Sequence, residues 1–188
     1  MQFVSETCQE TCDPSFAQEV RDKSGAGLDR CYQCLTCSLS CPVEYAMDYS
    51  PNKIIRMVQL GLKDEVLKSS TIWLCATCET CVARCPNDVN VLRVMDTLRE
   101  MSLKEKVKGK APLMPLFHDT FLGSIKLWGR SHELSMELTL KVRTKDLFTD
   151  LIMGIKMILK RKLRILPIRI KGLKQVKDIF EKTKGAGS

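Results

Sequence analysis

Residues 31–42 read CYQCLTCSLSCP and residues 75–86 read CATCETCVARCP, two copies of one pattern of four cysteines followed by proline. Each cysteine of the second copy lies 44 positions after its partner in the first. This repeated spacing is typical of a pair of 4Fe–4S clusters, so the sequence predicts an electron carrier. The eight motif cysteines, all predicted to be metal ligands, are Cys31, Cys34, Cys37, Cys41, Cys75, Cys78, Cys81 and Cys85.

The arrangement of ligands follows from the geometry of the short loops. Three cysteines spaced by two residues supply three thiolates from one tight loop, and in bacterial ferredoxin motifs the fourth cysteine binds the other cluster. Because the motif is present twice, the sequence predicts crossed ligation and two clusters close together. The predicted ligand sets are Cys31, Cys34, Cys37 and Cys85 for the first cluster, and Cys75, Cys78, Cys81 and Cys41 for the second.

Zinc and disulfides are the alternatives for so many cysteines. Structural zinc usually binds two separated C-x2-C pairs, and the third and fourth cysteines of each motif would have no role in such a site. The first residues, MQFVSETCQE, lack the basic and apolar regions of a secretory signal, so we expect a cytoplasmic chain without disulfides. Cys8 and Cys12 stand outside both motifs. We interpret them as two thiols of a terminal segment, with a regulatory pair or an additional ligand as alternatives.

The pattern of apolar residues predicts a mainly α protein with three parts. These are an N-terminal segment at 1–27 with a partial helix at 16–21, an α-helical ferredoxin domain at 28–103, and a basic helical extension at 104–188. Within the domain, Ser50 and Pro51 predict a helix start, with Ile54, Ile55 and Val58 on one apolar face. A second apolar stripe runs over residues 91–101.

Basic charge is concentrated in the extension. Residues 151–188 contain eleven Lys or Arg and two acidic residues, a net of +9, whereas the whole chain carries +8. A solvated helix face, docking to an acidic protein partner, and contact with a membrane surface or nucleic acid are three interpretations of this charge. The sequence contains no nucleic-acid-binding module, so a nucleic-acid partner is not expected.

The extension is also predicted to be helical. We predict helix over 116–148 with a turn at Trp128–Gly129, and a basic helix pair over 151–180 split at Pro167. The apolar stretch at 151–159 is too short to cross a bilayer, so the sequence predicts no membrane span.

No catalytic residue is predicted. The glycine-rich phosphate-binding patterns GxGxxG and GxxxxGK[ST] are absent, and His118 and His132 lie outside both cysteine motifs. Because all eight motif cysteines are needed as cluster ligands, neither cluster is expected to keep an open iron for substrate. The sequence therefore predicts an electron relay that works with partner subunits.

Two C-x2-C-x2-C-x3-C-P motifs separated by a helical insert resemble the α-helical ferredoxin domain, which also occurs in the iron–sulfur subunits of succinate dehydrogenase and fumarate reductase. Residues 50–91, SPNKIIRMVQLGLKDEVLKSSTIWLCATCETCVARCPNDVNV, resemble the small iron–sulfur subunit of heterodisulfide reductase, which holds two 4Fe–4S clusters. This resemblance covers residues 28–103 and is weaker in the extension.

The resemblance implies a non-catalytic relay subunit of a soluble oxidoreductase complex. Its two 4Fe–4S clusters would connect a flavin-containing, electron-bifurcating subunit with the catalytic subunit. In methanogenesis the catalytic subunit reduces the coenzyme M–coenzyme B heterodisulfide, and a hydrogenase or formate dehydrogenase module supplies the electrons. Three alternatives remain open. They are the relay subunit of a glycolate, lactate or glycerol-3-phosphate oxidising complex, a regulatory or nucleic-acid-binding iron–sulfur protein, and a free ferredoxin-like carrier.

Overall fold

The computed structural model describes residues 12–144, 151–160 and 170–184, and every regular element in this part of the chain is helical. The mainly α fold predicted from the sequence is therefore confirmed. The described residues form two compact units, one ending at Pro112 and the other beginning at Leu113. The finer division predicted from the sequence, with boundaries after residues 27 and 103, stays a prediction. The helices of the first unit are α1 (Pro14–Ser24), α2 (Thr36–Leu39), α3 (Pro51–Gln59), α4 (Lys63–Lys68), α5 (Thr71–Leu74), α6 (Thr80–Ala83) and α7 (Val91–Lys104).

Helix α1 is longer than the partial helix expected at 16–21. Asp13 caps its N-terminus, because the Asp13 side chain accepts a hydrogen bond from the Ser15 backbone N–H at 2.9 Å. Pro14 occupies the first turn, where its missing N–H and fixed φ are tolerated. Gly25 ends the helix in the left-handed conformation at φ 60°.

The N-terminal helix is part of the core of the first unit. Phe16 and Val20 are fully buried where α1 packs against α3 and α7. The Asp13 backbone N–H also donates to the Gly61 carbonyl at 2.8 Å. Gly61 has φ +75°, and a Cβ there would lie 2.4 Å from the Asp13 carbonyl oxygen, so the two backbones approach too closely for any other residue.

The two cysteine motifs fold in the same way. In each, a short helical segment (Leu28–Arg30 or α5) leads to the first cysteine, a four-residue helix (α2 or α6) contains the third, and a longer helix (α3 or α7) follows the fourth. Non-glycine residues adopt positive φ at matching positions, Gln33 with Thr77 and Leu35 with Glu79, each pair 44 residues apart. This conformation costs about 1–2 kcal/mol per residue. Its occurrence at the same two places in both motifs indicates that the loop geometry, and not residue preference, determines the backbone.

The helices between and after the motifs supply the core, as their apolar patterns predicted. Helix α3 begins after Ser50, the N-cap residue, and Ile54, Ile55 and Val58 are fully buried on one face. Helix α7 contacts α1, α3, α4, α5 and α6, with Leu98 fully buried. Burial of these side chains, at about 25 cal/mol per Å² of apolar surface, stabilises the helices that flank the cysteine loops.

The second unit consists of α8 (Leu113–Trp128), α9 (Glu133–Thr144), α10 (Leu151–Leu159) and α11 (Leu173–Lys184). Helix α8 packs against α9 and α11, and Ser124 accepts a hydrogen bond from the His132 backbone N–H at 3.0 Å. The predicted turn is confirmed at Gly129, which has φ +79°. The predicted split at Pro167 lies outside the described residues. Among the helices that are described, none has the length and apolar character needed to cross a membrane.

Candidate metal centre

Two cavities in the first unit are each lined by four cysteine side chains. One cavity has a volume of about 340 Å³, including space open to solvent, and its wall also includes Asn52, Ile55 and Val89. Its three consecutive thiols come from the loop that contains α2, and the fourth comes from the end of the other motif. The cysteines around this cavity are Cys31, Cys34, Cys37 and Cys85.

The other cavity has the reciprocal composition and a volume of about 400 Å³, again including space open to solvent. Its wall includes Met47 and Pro51 from one half of the unit and Met95 from α7. The cysteines around it are Cys75, Cys78, Cys81 and Cys41. Both groups of four are those of the crossed arrangement expected from the sequence, although the assignment of ligands stays a prediction.

The two cavities are neighbours. Val91, which is 3 % exposed, lines both of them. Helices α2 and α6, which carry the third cysteine of each motif, also pack against each other. Within the described part of the chain, no three His, Cys, Asp or Glu side chains converge as they would around one metal ion. Each set of four thiols instead surrounds a volume, and such an arrangement suits a polynuclear cluster with one thiolate per iron.

The second cysteine of each motif is in a polar environment. Hydrogen bonding with the Thr36 side chain lowers the pKa of the Cys34 thiol, and the two side chains lie 3.3 Å apart. Thr80 has the same relation to Cys78, at 3.4 Å, and likewise lowers its pKa. Thr36 and Thr80 are themselves 44 residues apart, so the repeat extends to the polar contacts of these thiols.

The third cysteine of each motif and the fourth cysteine of the first motif are partly buried. Burial raises the pKa of Cys37 and of Cys41, and it raises the pKa of Cys81 to about 11. Because a thiol must lose its proton to bind a metal, binding at these positions releases protons. Metal ions held at these positions would compensate the thiolate charge that burial disfavours.

Polar side chains that the sequence analysis missed support the first cavity. The Asn52 backbone N–H donates to Ser38 Oγ at 3.1 Å, and Ser38 Oγ donates to Asn52 Oδ1 at 2.6 Å. Asn52 Nδ2 donates to Gln33 Oε1 at 3.2 Å, and Gln33 Nε2 donates to Cys31 Sγ at 3.4 Å. The only sequence signal for this network was a polar residue, Asn52, on the first turn of an otherwise apolar helix.

Asp48 links the chain after the first motif to the chain before the second. Its carboxylate accepts hydrogen bonds from Ser69 Oγ at 2.7 Å, from Thr71 Oγ1 at 2.8 Å and from the Ser70 backbone N–H at 3.1 Å. Lys110 Nζ lies 3.2 Å from the same carboxylate. Burial alone would raise the pKa of Asp48, but these donors together hold it well below its ordinary value. These four partners are 21 to 62 residues away in sequence, so no local pattern could reveal them.

The remaining candidate residues lie elsewhere. Cys8 is outside the described residues, and Cys12 is partly buried at the start of the described chain. His118 and His132 belong to the second unit, and neither lines the two cysteine cavities. The site is therefore built from the two motifs, from α3 and α7, and from the segments that join them.

Comparison with known proteins shows what this site is similar to. Residues 27–89 match the model of the 4Fe-4S dicluster domain. The iron–sulfur subunit, designated C, of CoB–CoM heterodisulfide reductase from Methanopyrus kandleri is 38 % identical over 114 residues, which are 56 % of this chain and 59 % of that protein. The subunit of the same designation in the H2:CoB–CoM heterodisulfide, ferredoxin reductase from Methanothermobacter marburgensis is 37 % identical over 92 residues, 49 % of this chain and 50 % of that protein.

A further relative is similar over a shorter stretch. An iron–sulfur subunit of CoB–CoM heterodisulfide reductase from Methanocaldococcus jannaschii is 47 % identical over 78 residues, which are 42 % of this chain and 41 % of that protein. The chain thus spans about half the length of the curated relatives that it matches. Residues 27–89 thus match the 4Fe-4S dicluster domain, and the resemblance of the chain to the small iron–sulfur subunit of heterodisulfide reductase is confirmed.

Proposed function

We propose that this chain is the iron–sulfur electron-transfer subunit of a heterodisulfide reductase complex and holds two 4Fe–4S clusters. One observation carries the proposal: cysteines from both motifs surround each of two cavities that share Val91 as a common wall. The 4Fe-4S dicluster domain that covers residues 27–89 supports iron–sulfur clusters as the bound group. Each cluster, when bound, supplies a one-electron carrier.

The proposed ligands are the two sets of four thiols that the cavities bring together. Residues of both halves therefore contribute to each site, and loss of either loop would disturb both. The chain's own task is to hold the thiols, to exclude water through side chains such as Ile55 and Met95, and to place charges and N–H donors near sulfur. The ligand sets are Cys31, Cys34, Cys37 and Cys85 for the first cluster, and Cys75, Cys78, Cys81 and Cys41 for the second.

The partners that we propose follow from the relatives. Their names describe subunits of enzymes that act on the CoB–CoM heterodisulfide, some with hydrogen or ferredoxin. By this resemblance the chain would accept electrons from a flavin-containing subunit and deliver them to the catalytic subunit of the complex. A hydrogenase or formate dehydrogenase module would be joined to the larger complex. The chain itself would have no substrate site, and its cytoplasmic location stays a prediction.

The basic extension is the part of the chain that we propose as a docking surface. Lys171, Lys174, Lys177 and Lys182 are exposed on or beside α11. Four exposed cations so close together in sequence complement an acidic face on a protein partner, which would steer the two surfaces together.

Anaerobic purification of the native complex tests the proposal. We expect about eight iron atoms and about eight sulfides per chain, four of each per cluster, together with the flavin-containing and catalytic subunits identified by mass spectrometry. A chain that contains zinc, or far less iron, would contradict the two clusters. A glycolate, lactate or glycerol-3-phosphate oxidising subunit in place of these two partners would be consistent with the two clusters. It would contradict the proposal that the complex is a heterodisulfide reductase.

A further inference from the structure

Arg99, on α7, binds the backbone that leads into the second motif. Its Nε donates to the Ile72 carbonyl, and its Nη2 donates to the carbonyl of Cys75 at 2.5 Å. The Arg99 side chain is only 16 % exposed. A guanidinium group is always charged, so this contact places a fixed positive charge, mostly shielded from solvent, against the first cysteine of the second motif.

Gln59 holds the corresponding position in the first half. Gln59 is the ninth residue of α3, and Arg99 is the ninth residue of α7. Gln59 Nε2 donates to the Leu28 carbonyl at 2.8 Å. Leu28 precedes Ile72 by 44 positions, the same offset that relates the cysteines of the two motifs. The two halves therefore use the same tie between the long helix and the turn before the motif, one with a neutral amide and the other with a cation.

This difference in charge has a direct electrochemical consequence. Reduction adds a negative charge to a cluster, and a nearby positive charge of the protein stabilises the reduced form. Asp96, which is paired with Arg99 at 3.0 Å, offsets this charge only in part, because its side chain is 55 % exposed and therefore screened by solvent. A glutamine at this position would keep a hydrogen bond to the backbone without the charge.

We propose that Arg99 raises the reduction potential of the cluster held by the second motif, and that the neutral Gln59, whose Oε1 accepts from the exposed Arg56 at 3.3 Å, places no comparably shielded charge beside the first cluster. The inference rests on the proposed function, because it requires both clusters to be bound. The inference states how one residue contributes to the potential of each cluster. It does not state which of the two clusters has the higher potential. Donors to sulfur act on the first site independently, since Gln33 Nε2 and the Val89 backbone N–H donate to cysteine sulfurs there at 3.4 and 3.2 Å.

Potentiometric titration of the complex, followed by electron spin resonance, measures the effect. Arg99→Gln removes the charge, and Arg99→Lys keeps it. Gln59→Arg adds a charge to the first half, and Lys104→Gln removes an exposed charge from the C-terminal end of α7 as the control. At a fixed potential we expect Arg99→Gln to lower the ratio of reduced to oxidised second cluster on the order of tenfold, or about 59 mV for one electron. Arg99→Lys should retain most of the wild-type ratio.

Gln59→Arg should raise the ratio for the first cluster in the same assay. This variant also decides the matter if Arg99→Gln loses its second cluster, because it alters the other half. An Arg99→Gln variant with unchanged iron content and a shift no larger than that of Lys104→Gln would overturn the inference. If Arg99→Gln loses its second cluster, the absence of a shift in Gln59→Arg would overturn it. Wild-type protein that fails to hold two clusters would refute the proposed function instead, so the two failures are distinguishable.

Discussion

Replacing Asp48 with asparagine should destabilise the first unit far more than the loss of an exposed carboxylate would. One carboxylate oxygen accepts from the Ser69 and Thr71 hydroxyls and from the Thr71 backbone N–H, and asparagine Oδ1 can replace it. The other oxygen accepts from the Ser70 backbone N–H and from Lys110 Nζ. In the variant an amide NH2 group faces these two donors.

The size of the effect follows from these contacts. Hydrogen bonds to a charged group contribute about 1.5–3 kcal/mol each, and the side chain of Asp48 is only 18 % exposed. Because the chain can relax around asparagine, we expect a loss of about 2–3 kcal/mol in the free energy of unfolding. With a urea m value of about 1–3 kcal/mol per M, the midpoint of unfolding should fall by about 0.7–3 M.

The assay is anaerobic urea unfolding followed by circular dichroism, with Asp64→Asn as the matched control. Asp64 also pairs with a lysine, Lys68 at 3.1 Å, but its side chain is 82 % exposed, so its loss should have little effect. Because the pKa of Asp48 is lowered in the folded protein, its stabilisation is complete above the ordinary value of 3.8 and is lost only as the pH falls below it. The difference between wild type and Asp48→Asn should therefore be the same at pH 8 and pH 6. A variant as stable as Asp64→Asn, or a difference that closes between these pH values, would refute the reasoning.

Two further predictions concern the cysteines and the N-terminal helix. Cys85→Ser should impair the cluster of the first motif, and Cys41→Ser should impair the cluster of the second motif, so each variant is the control for the other. Electron spin resonance measures which cluster is lost. The opposite losses would exclude crossed ligation. Gly61→Ala should lower the free energy of unfolding by more than Gly25→Ala in urea titrations. Both residues have positive φ, at a cost of about 1–2 kcal/mol for alanine, but only the Gly61 Cβ would meet the Asp13 backbone, at 2.4 Å. Equal losses would show that the close approach of the two segments does not matter.

The sequence predicted those features that depend on local spacing. Cysteines at fixed intervals predicted the two sets of four, and the apolar face of Ile54, Ile55 and Val58 predicted α3. Both patterns are short in sequence and so can be read without knowledge of the fold. The start of α1 could have been predicted from local sequence too, because Asp13 and Pro14 are typical of a helix N-terminus. The burial of Phe16 and Val20 could not, because the segment around them is mostly polar.

Other features could not be predicted because their partners are distant or their residue types are misleading. The contact of Arg99 with the Cys75 carbonyl joins residues 24 apart, and an arginine on a helix is usually exposed. Likewise Leu35 and Glu79 adopt positive φ, although neither residue type favours that conformation. In both cases the fold as a whole determines the local structure.

The structure separates the residues that would bind the clusters from those that hold the binding loops. Helices α2 and α6 have four residues each, too few to be stable alone, and each follows a residue in the left-handed conformation. Their positions depend on α3 and α7, whose buried faces form the core, and on ties such as those of Gln59 and Arg99. The two halves hold their cysteine loops in the same way, but Arg99 carries a charge at the position where Gln59 is neutral. A duplicated scaffold of this kind can keep the thiol geometry constant in both halves while single side chains outside the motifs give the two clusters different potentials.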